Sequence, residues 1–228
     1  MKKKNLLVLG LATVTLLSYN NTSSAETTEN MQIKESAIAY SSSSGYQEIT
    51  SQFSSLMKRN SLLMAYAAYE AKQLNAPETA VTYFIEKVRT KGPWDYKWQY
   101  AGKYIYQGRN CTGEDLGNMH YGYVGRAGGF TPDLLKTAAG LYQIKSGTYK
   151  LEWISSYFDD PNDQAWINYG IQLWDNKSLS TSFTLTNSQP KFNQDVLYQE
   201  AVKKLSTSEK TTIKEEIKRI YEDSKGNK

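Results

Sequence analysis

The fold is decided by residues 114 to 129, which read EDLGNMHYGYVGRAGG. The spacing of their apolar residues predicts a helix from Glu114 to about Arg126. On a helical wheel that advances about 100° per residue, one sector of this helix is polar and lined with glycine. The members of that sector are Glu114, Asn118, Tyr121, Gly122, Gly125 and Gly129, with Asp115 at its edge. His120 falls on a different side of the helix, near Leu116 and Val124.

The glycines in this helix need an explanation, because each costs about 0.5–1 kcal/mol relative to alanine. One interpretation is that they let another helix approach closely, with His120 as a hydrogen-bonded core residue. The other is that the glycine face is the wall of a cleft with carboxylates at its top. The sequence leaves both interpretations open.

Further helices are predicted on both sides of this stretch. Apolar residues at helical spacing begin near Gln47, and Asn75-Ala76-Pro77 separates this helix from a second one that ends before Lys91. Thr131-Pro132 and Asp160-Pro161 are N-cap and N1 pairs, each of which opens another helix. The helix that Thr131-Pro132 opens should end near Gly147. Two polar helices are predicted towards the end of the sequence, at about 191–204 and 208–223.

The central region has a different composition. Of the 15 glycines, 11 lie between residues 92 and 147, together with Trp94 and Trp98. Residues 96–106 fit a short strand or an ordered loop. The predicted fold is therefore mostly α: a single compact helical domain with a Gly- and aromatic-rich central region and room for one short β hairpin.

The first residues have the pattern of an export signal. Three lysines at positions 2–4 precede a 12-residue apolar run, residues 6–17, and Ser23-Ser24-Ala25 resembles a cleavage site. The run is too short to span a bilayer. We therefore expect a signal peptide at 1–25 with cleavage after Ala25, a flexible linker at 26–46 and the helical domain at 47–224. The mature protein should be secreted, with no transmembrane segment.

Composition excludes several classes of protein. The net charge of +4 falls to +1 without residues 1–25, which hold three lysines and no acid. A chain with so little excess charge gives no strong nucleic-acid signal. Its single cysteine allows no intrachain disulfide, and its single histidine allows no two-histidine metal site. We accordingly predict no metal site and no cofactor.

The segment Asp159-Asp160-Pro161-Asn162-Asp163-Gln164 contains a second group of acids. Asp160 is expected to be the N-cap of the following helix and Asp163 its N3 residue. Asp163 also shares a wheel sector with Ile167, Gly170 and Trp174, which should face the core. Partial burial would raise the pKa of the Asp163 carboxyl toward the range useful for a general acid.

A third group of polar and aromatic residues lies between Lys91 and Trp98. Trp94 and Trp98 flank Asp95 and Lys97, an arrangement that suits a sugar or a base stacked on a ring and hydrogen-bonded at its rim. The same residues also suit an ordinary loop pinned by its tryptophans.

Several motifs together resemble the polymorphic toxin type 44 family of bacterial effector domains. They are Trp94 to Lys97, Glu114 to Gly125, Gly128-Gly129-Phe130, Ala139-Gly140 with Gln143, and Asp159 to Gln164 with Ile167 and Gly170. The resemblance covers about residues 91–174. It implies a secreted effector whose site is formed by residues 118–122 and the acidic turn 159–164, with a cognate immunity protein as a partner. On this basis Asn118, Tyr121, Asp159, Asp160 and Gln164 join Trp94, Asp95 and Lys97 as expected substrate-binding residues.

Three functions fit these residues. A glycosidase needs a protonated carboxyl and a second carboxylate, which Glu114 or Asp115 could supply with Asp163; export would place such an enzyme beside peptidoglycan. A nuclease toxin could instead use His120 as general acid or base, with Lys97 on the phosphate and aspartates that bind a metal or orient the histidine. A noncatalytic module could bind glycans or cell walls through its aromatic residues.

Overall fold

The fold is mostly α, as predicted. The computed structural model describes residues 45–146, 159–179 and 194–226, and the predicted signal peptide and residues 26–44 of the predicted linker lie outside them. The described ranges contain eight helices and three short strands. In chain order these are β1 (Gln47–Glu48), α1 (Thr50–Gln73), α2 (Glu78–Val88), α3 (Tyr96–Gln99), β2 (Lys103–Tyr106), β3 (Arg109–Thr112), α4 (Gly113–Ala127), α5 (Pro132–Ser146), α6 (Pro161–Asp175), α7 (Gln194–Lys204) and α8 (Thr207–Gly226).

The predicted β hairpin is present and gains a third strand. Strands β2 and β3 are antiparallel, and β1 pairs with β2 in parallel. Gln107 and Gly108 both have positive φ, 48° and 73°, which matches the type I′ turns that suit tight hairpins. The region 96–106 differs from the prediction, because its first four residues form the short helix α3 and only 103–106 form a strand.

Helix α1 forms the centre of the core. It contacts α4, α7 and α8, and Phe53, Met57 and Met64 on it are fully buried. Asn75 follows it in a left-handed conformation with φ of 50°, so the chain turns there and α2 begins at Glu78. Helix α8 packs on α1 and α2 and is tied to α2 by the Lys87–Glu216 and Arg219–Glu86 ion pairs.

Helices α4 and α6 lie side by side and run in the same direction. Near their first residues, Asn162 Nδ2 donates a hydrogen bond to Asp115 Oδ1 over 2.9 Å. Near their last residues, Arg126 Nε donates to Asp175 Oδ1 over 3.0 Å. Because the helices are parallel, their N-termini meet at one edge of the molecule, and the acids at the start of each helix are brought together.

Two glycines allow this close approach. A Cβ atom on Gly122 would lie 2.2 Å from the Ile167 carbonyl oxygen, and one on Gly170 would lie 1.9 Å from the Met119 carbonyl oxygen. Neither distance leaves room for a side chain. The interpretation of the glycines as helix-packing residues is therefore confirmed for this pair of helices.

A capping box fixes the start of α4. Asp115 N donates to Thr112 Oγ1 over 3.3 Å, and Thr112 N donates to Asp115 Oδ2 over 2.8 Å. We expect Thr112→Ala to lower the free energy of unfolding by about 1 kcal/mol, measured by urea denaturation. Thr112→Ser keeps the hydroxyl, so its free energy of unfolding should fall much less. An equal loss in both variants would contradict the role of the cap.

Candidate functional site

Polar groups from three helices meet where α4 and α6 begin. Asn118 Nδ2 donates a hydrogen bond to Asp163 Oδ1 over 2.8 Å, which joins α4 to α6. The Lys97 ammonium of α3 forms an ion pair with the exposed Glu114 carboxylate. The Lys97 charge also acts on Asp163. The structure thus brings together four of the residues singled out in the sequence.

Asp163 has the most altered acidity of these groups. Burial, reinforced by the negative charges of Glu114, Asp159 and Asp160, raises the pKa of the Asp163 carboxyl from 3.8 to about 7. The Lys97 charge opposes this rise. The burial follows from the position of Asp163 at the start of a core-facing stripe, since Ile167, Gly170 and Trp174 are all buried. Near neutral pH this carboxyl can therefore both donate and accept a proton.

Asp163 should make the stability of the protein depend on pH. Its raised folded-state pKa contributes stability that is complete below about pH 4 and is lost as the pH rises through about 7. Asn is a neutral mimic of the protonated acid, so Asp163→Asn should match the stability of the unmutated protein at about pH 3, where the carboxyl is protonated in both states, and exceed it at about pH 8. We expect a difference of about 1–2 kcal/mol, because partial exposure screens the charge. Urea denaturation at both pH values measures it; a difference that does not vary with pH would contradict the raised pKa.

Asp115, one of the two α4 acids considered for the catalytic pair, caps the start of α4 and connects it to α6. Its Oδ2 accepts hydrogen bonds from Thr112 N and Thr112 Oγ1, and its Oδ1 accepts one from Asn162 Nδ2. The side chain is 7% exposed. Both Asp115 oxygens are thus engaged, Oδ2 by the cap and Oδ1 by α6. Glu114 is therefore the carboxylate of α4 that is open to solvent.

The acidic turn before α6 mainly connects helices. Asp160 Oδ1 accepts a hydrogen bond from Asn162 N over 2.8 Å, so its predicted N-cap role is confirmed. Asp159 is buried and its Oδ2 accepts a hydrogen bond from Gln164 Nε2 over 2.7 Å. The Gln164 amide nitrogen also donates to the Lys136 carbonyl of α5. Asp159 and Asp160 reach the site through their charge on Asp163, whereas Gln164 connects Asp159 to α5.

The aromatic residues that were expected to bind substrate divide into buried and exposed groups. Trp94 is 7% exposed and packs in the core against Tyr83 and Phe84, so its ring does not face solvent and the ordinary-loop interpretation holds for it. Tyr121 donates its hydroxyl proton to the Leu135 carbonyl over 3.0 Å, and its ring stacks on Phe84. Trp98, by contrast, is 65% exposed.

Asp95, the remaining polar residue expected to bind substrate, stabilises a turn. Its Oδ2 accepts a hydrogen bond from Lys91 N over 2.6 Å. This bond holds together the loop that leads into α3. Asp95 also acts on the site through its charge, since it helps to raise the pKa of the neighbouring Lys97.

His120 lies in the core and not among the acids. Its ring is fully buried, and Asn60 Nδ2 of α1 lies 2.9 Å from its Nε2. Burial lowers the pKa of the imidazole to about 3, so the ring is neutral at physiological pH. This placement matches the alternative of a hydrogen-bonded core histidine, and it separates His120 from the acids with which it was expected to form the site.

Sequence reasoning missed several residues that build the site. Asn162 holds Asp115, and Asn60 holds His120. The Thr-x-x-Asp spacing of the capping box at 112–115 was a usable signal for the role of Asp115. The pairing of Asn60 with His120 joins residues 60 positions apart, and no local pattern indicates such a contact.

The described ranges hold neither a cluster of metal ligands nor a helix that could span a membrane. No group of three or more His, Cys, Asp or Glu side chains there could hold a metal ion. None of the helices in those ranges is long and apolar enough to cross a bilayer.

The chain was also compared with known proteins. No curated protein and no solved structure matches it. Residues 83–176 match the model of the family described as Bacterial toxin 44. This segment includes Lys97, Glu114, Asn118 and Asp163, so the resemblance found in the sequence is confirmed over residues 83–176, and the site lies within the segment that is similar to Bacterial toxin 44.

Proposed function

We propose that this toxin-like protein is a secreted hydrolase that cleaves glycosidic bonds of cell-wall peptidoglycan. In this proposal Asp163 is the general acid and Glu114 is the second carboxylate, acting as base or nucleophile. The observation that carries the proposal is the pair itself: a partly buried carboxyl whose pKa is raised to about 7, with an exposed carboxylate close enough to contribute to that rise. Glycosidases use such a pair of carboxyls with different acidities.

The hydrogen bond from Asn118 supports the role of Asp163 as an acid. Asn118 Nδ2 can only donate, so Asp163 Oδ1 is an acceptor and the proton of the neutral carboxyl belongs on Oδ2. A proton held on a known oxygen can be aimed at the leaving-group oxygen of a substrate. A general acid is most effective when its pKa lies near the working pH, and a pKa of about 7 meets that condition.

Glu114 is suited to the second role because it is exposed and paired with Lys97. The Lys97 ammonium holds this side chain in an ion pair, and exposure leaves its carboxylate accessible to water or a sugar ring. Within this proposal, Lys97 positions Glu114 through the ion pair, and Asp163 carries the proton that is donated.

The proposed substrate class rests on two further features. Trp98 adjoins Lys97 and exposes 65% of its surface, and aromatic faces of this kind can stack against sugar rings. The export signal expected at residues 1–25 would deliver the enzyme to the cell wall. The nuclease alternative loses its main argument, because His120 is buried and neutral.

The test is digestion of purified peptidoglycan by the mature chain, residues 26–228. Turbidity loss and released reducing ends are expected from the unmutated protein and not from Asp163→Asn or Glu114→Gln. RNA and DNA are incubated in parallel, with and without divalent metal. No released fragments from the unmutated protein would refute the proposal. Sedimentation with walls without cleavage would instead indicate a binding module, and RNA degradation lost in His120→Ala would indicate a nuclease.

A further inference from the structure

A buried polar cluster lies behind the carboxylates, where α1, α3 and α4 meet. It consists of Asn60, Tyr96 and His120, whose side chains come from one helix each. Among the described residues, His120 Nδ1 is the one buried side-chain nitrogen or oxygen without a hydrogen-bond partner. Leaving a buried polar atom unpaired costs free energy, so the presence of a histidine here calls for a physical reason.

The hydrogen bonds of the cluster all start from Asn60. Its amide nitrogen donates to the Tyr96 hydroxyl over 2.7 Å and to His120 Nε2 over 2.9 Å. An amide nitrogen has two protons and accepts none, so both are used and Nε2 must be an acceptor. The neutral imidazole therefore carries its proton on Nδ1. An apolar residue at position 120 would leave one Asn60 proton without an acceptor in the core.

The rings around Tyr96 hold it in one orientation. His120 packs edge to face on Tyr96 with ring centres 4.7 Å apart, and Phe53 does the same from α1 at 5.3 Å. Such edge-to-face pairs are favoured by the charge distribution of aromatic rings. Tyr96 is 2% exposed, so both its ring and its hydroxyl are fixed by the core.

Tyr96 matters because it is the first residue of α3, which has only four residues. A helix this short does not persist without tertiary contacts. The next residue, Lys97, is exposed and forms the ion pair with Glu114. The position of its ammonium therefore depends on how firmly Tyr96 is held.

We infer that Asn60, Tyr96 and His120 are positioning residues, which hold α3 against α4 so that the Lys97 ammonium stays beside Glu114 and Asp163. His120 takes part as a neutral acceptor and never exchanges a proton with substrate. This inference rests on the geometry alone and stands whether or not the site cleaves glycans. The charged groups that act on Asp163 are Lys97 of α3, Glu114 of α4, and Asp159 and Asp160 before α6.

The test measures the pKa of Asp163 by NMR titration of its carboxyl carbon in the mature chain. Lys97→Met removes the positive charge that lowers this pKa, so it should raise the titration midpoint. His120→Leu leaves Lys97 in the sequence but frees α3, and it should reproduce at least half of that rise. Adding His120→Leu to Lys97→Met should change nothing further, because the charge is already gone. An unchanged midpoint in His120→Leu, or a shift that adds in full to that of Lys97→Met, would overturn the inference.

Two further variants separate positioning from general damage to the core. His120→Gln can place an acceptor oxygen near the position of Nε2, and it should restore the midpoint of the unmutated protein; a shift as large as that of His120→Leu would contradict the role of the acceptor. Tyr96→Phe removes only the hydroxyl that Asn60 binds. It should also raise the midpoint, and it decides the question if His120→Leu does not fold. A Tyr96→Phe midpoint equal to that of the unmutated protein would overturn the inference.

Discussion

Gly170→Ala is expected to lower the free energy of unfolding by about 3 kcal/mol, because overpacking of this kind forces backbone shifts. The new Cβ atom would lie 1.9 Å from the Met119 carbonyl oxygen. That oxygen belongs to the backbone of α4, so it cannot move aside as a flexible side chain could. The parallel helices α4 and α6 would have to separate. Urea denaturation of the unmutated and variant chains measures the loss.

Gly117→Ala is the matched control for this substitution. Gly117 also lies within a helix, but the nearest atom to a Cβ there would be Lys97 N at 3.8 Å, an ordinary contact. Alanine is the better helix former by about 0.5–1 kcal/mol, so Gly117→Ala should leave stability unchanged or raise it. Similar effects of the two substitutions would show that close packing of α4 on α6 is not what Gly170 provides.

Asp163→Asn is expected to reduce the rate of peptidoglycan hydrolysis by about 1,000-fold, the typical contribution of a general acid. Asn retains an oxygen for the Asn118 hydrogen bond but has no acidic proton to give. In the unmutated protein the activity should fall as the pH rises through about 7, since the proton leaves Asp163 there. Release of reducing ends, measured across the pH range, checks both expectations.

Asp175→Asn is a control on the same helix. Asp175 lies at the C-terminal end of α6, where it pairs with Arg126 at the surface, and such pairs contribute little to stability. This variant should hydrolyse peptidoglycan at the rate of the unmutated protein. Equal losses in Asp163→Asn and Asp175→Asn would mean that the acid at position 163 has no special role.

The helices and their caps could be predicted because their signals are local. The Thr131-Pro132 and Asp160-Pro161 pairs mark the starts of α5 and α6, and the wheel correctly placed Asp163 at the beginning of a buried stripe. A helix start depends on residues within one turn of each other. Such signals are therefore visible in a single sequence.

The composition of the site could be predicted only in part, because its contacts join distant residues. Trp94 and Trp98 look alike in sequence, yet one is in the core and the other is exposed. Helix α3 is too short to show helical periodicity. The wheel set His120 apart from the acids, but nothing local to it indicated that Asn60 would bind its Nε2. These outcomes depend on how the helices pack, which a pattern of nearby residues does not encode.

The most direct measurement is the titration of the Asp163 carboxyl carbon by NMR in the unmutated mature chain. The burial of this side chain and the negative charges around it predict a midpoint of about 7, which would make Asp163 a proton donor at neutral pH. A midpoint near 3.8, the ordinary value of an aspartate, would contradict the assignment of Asp163 as the general acid.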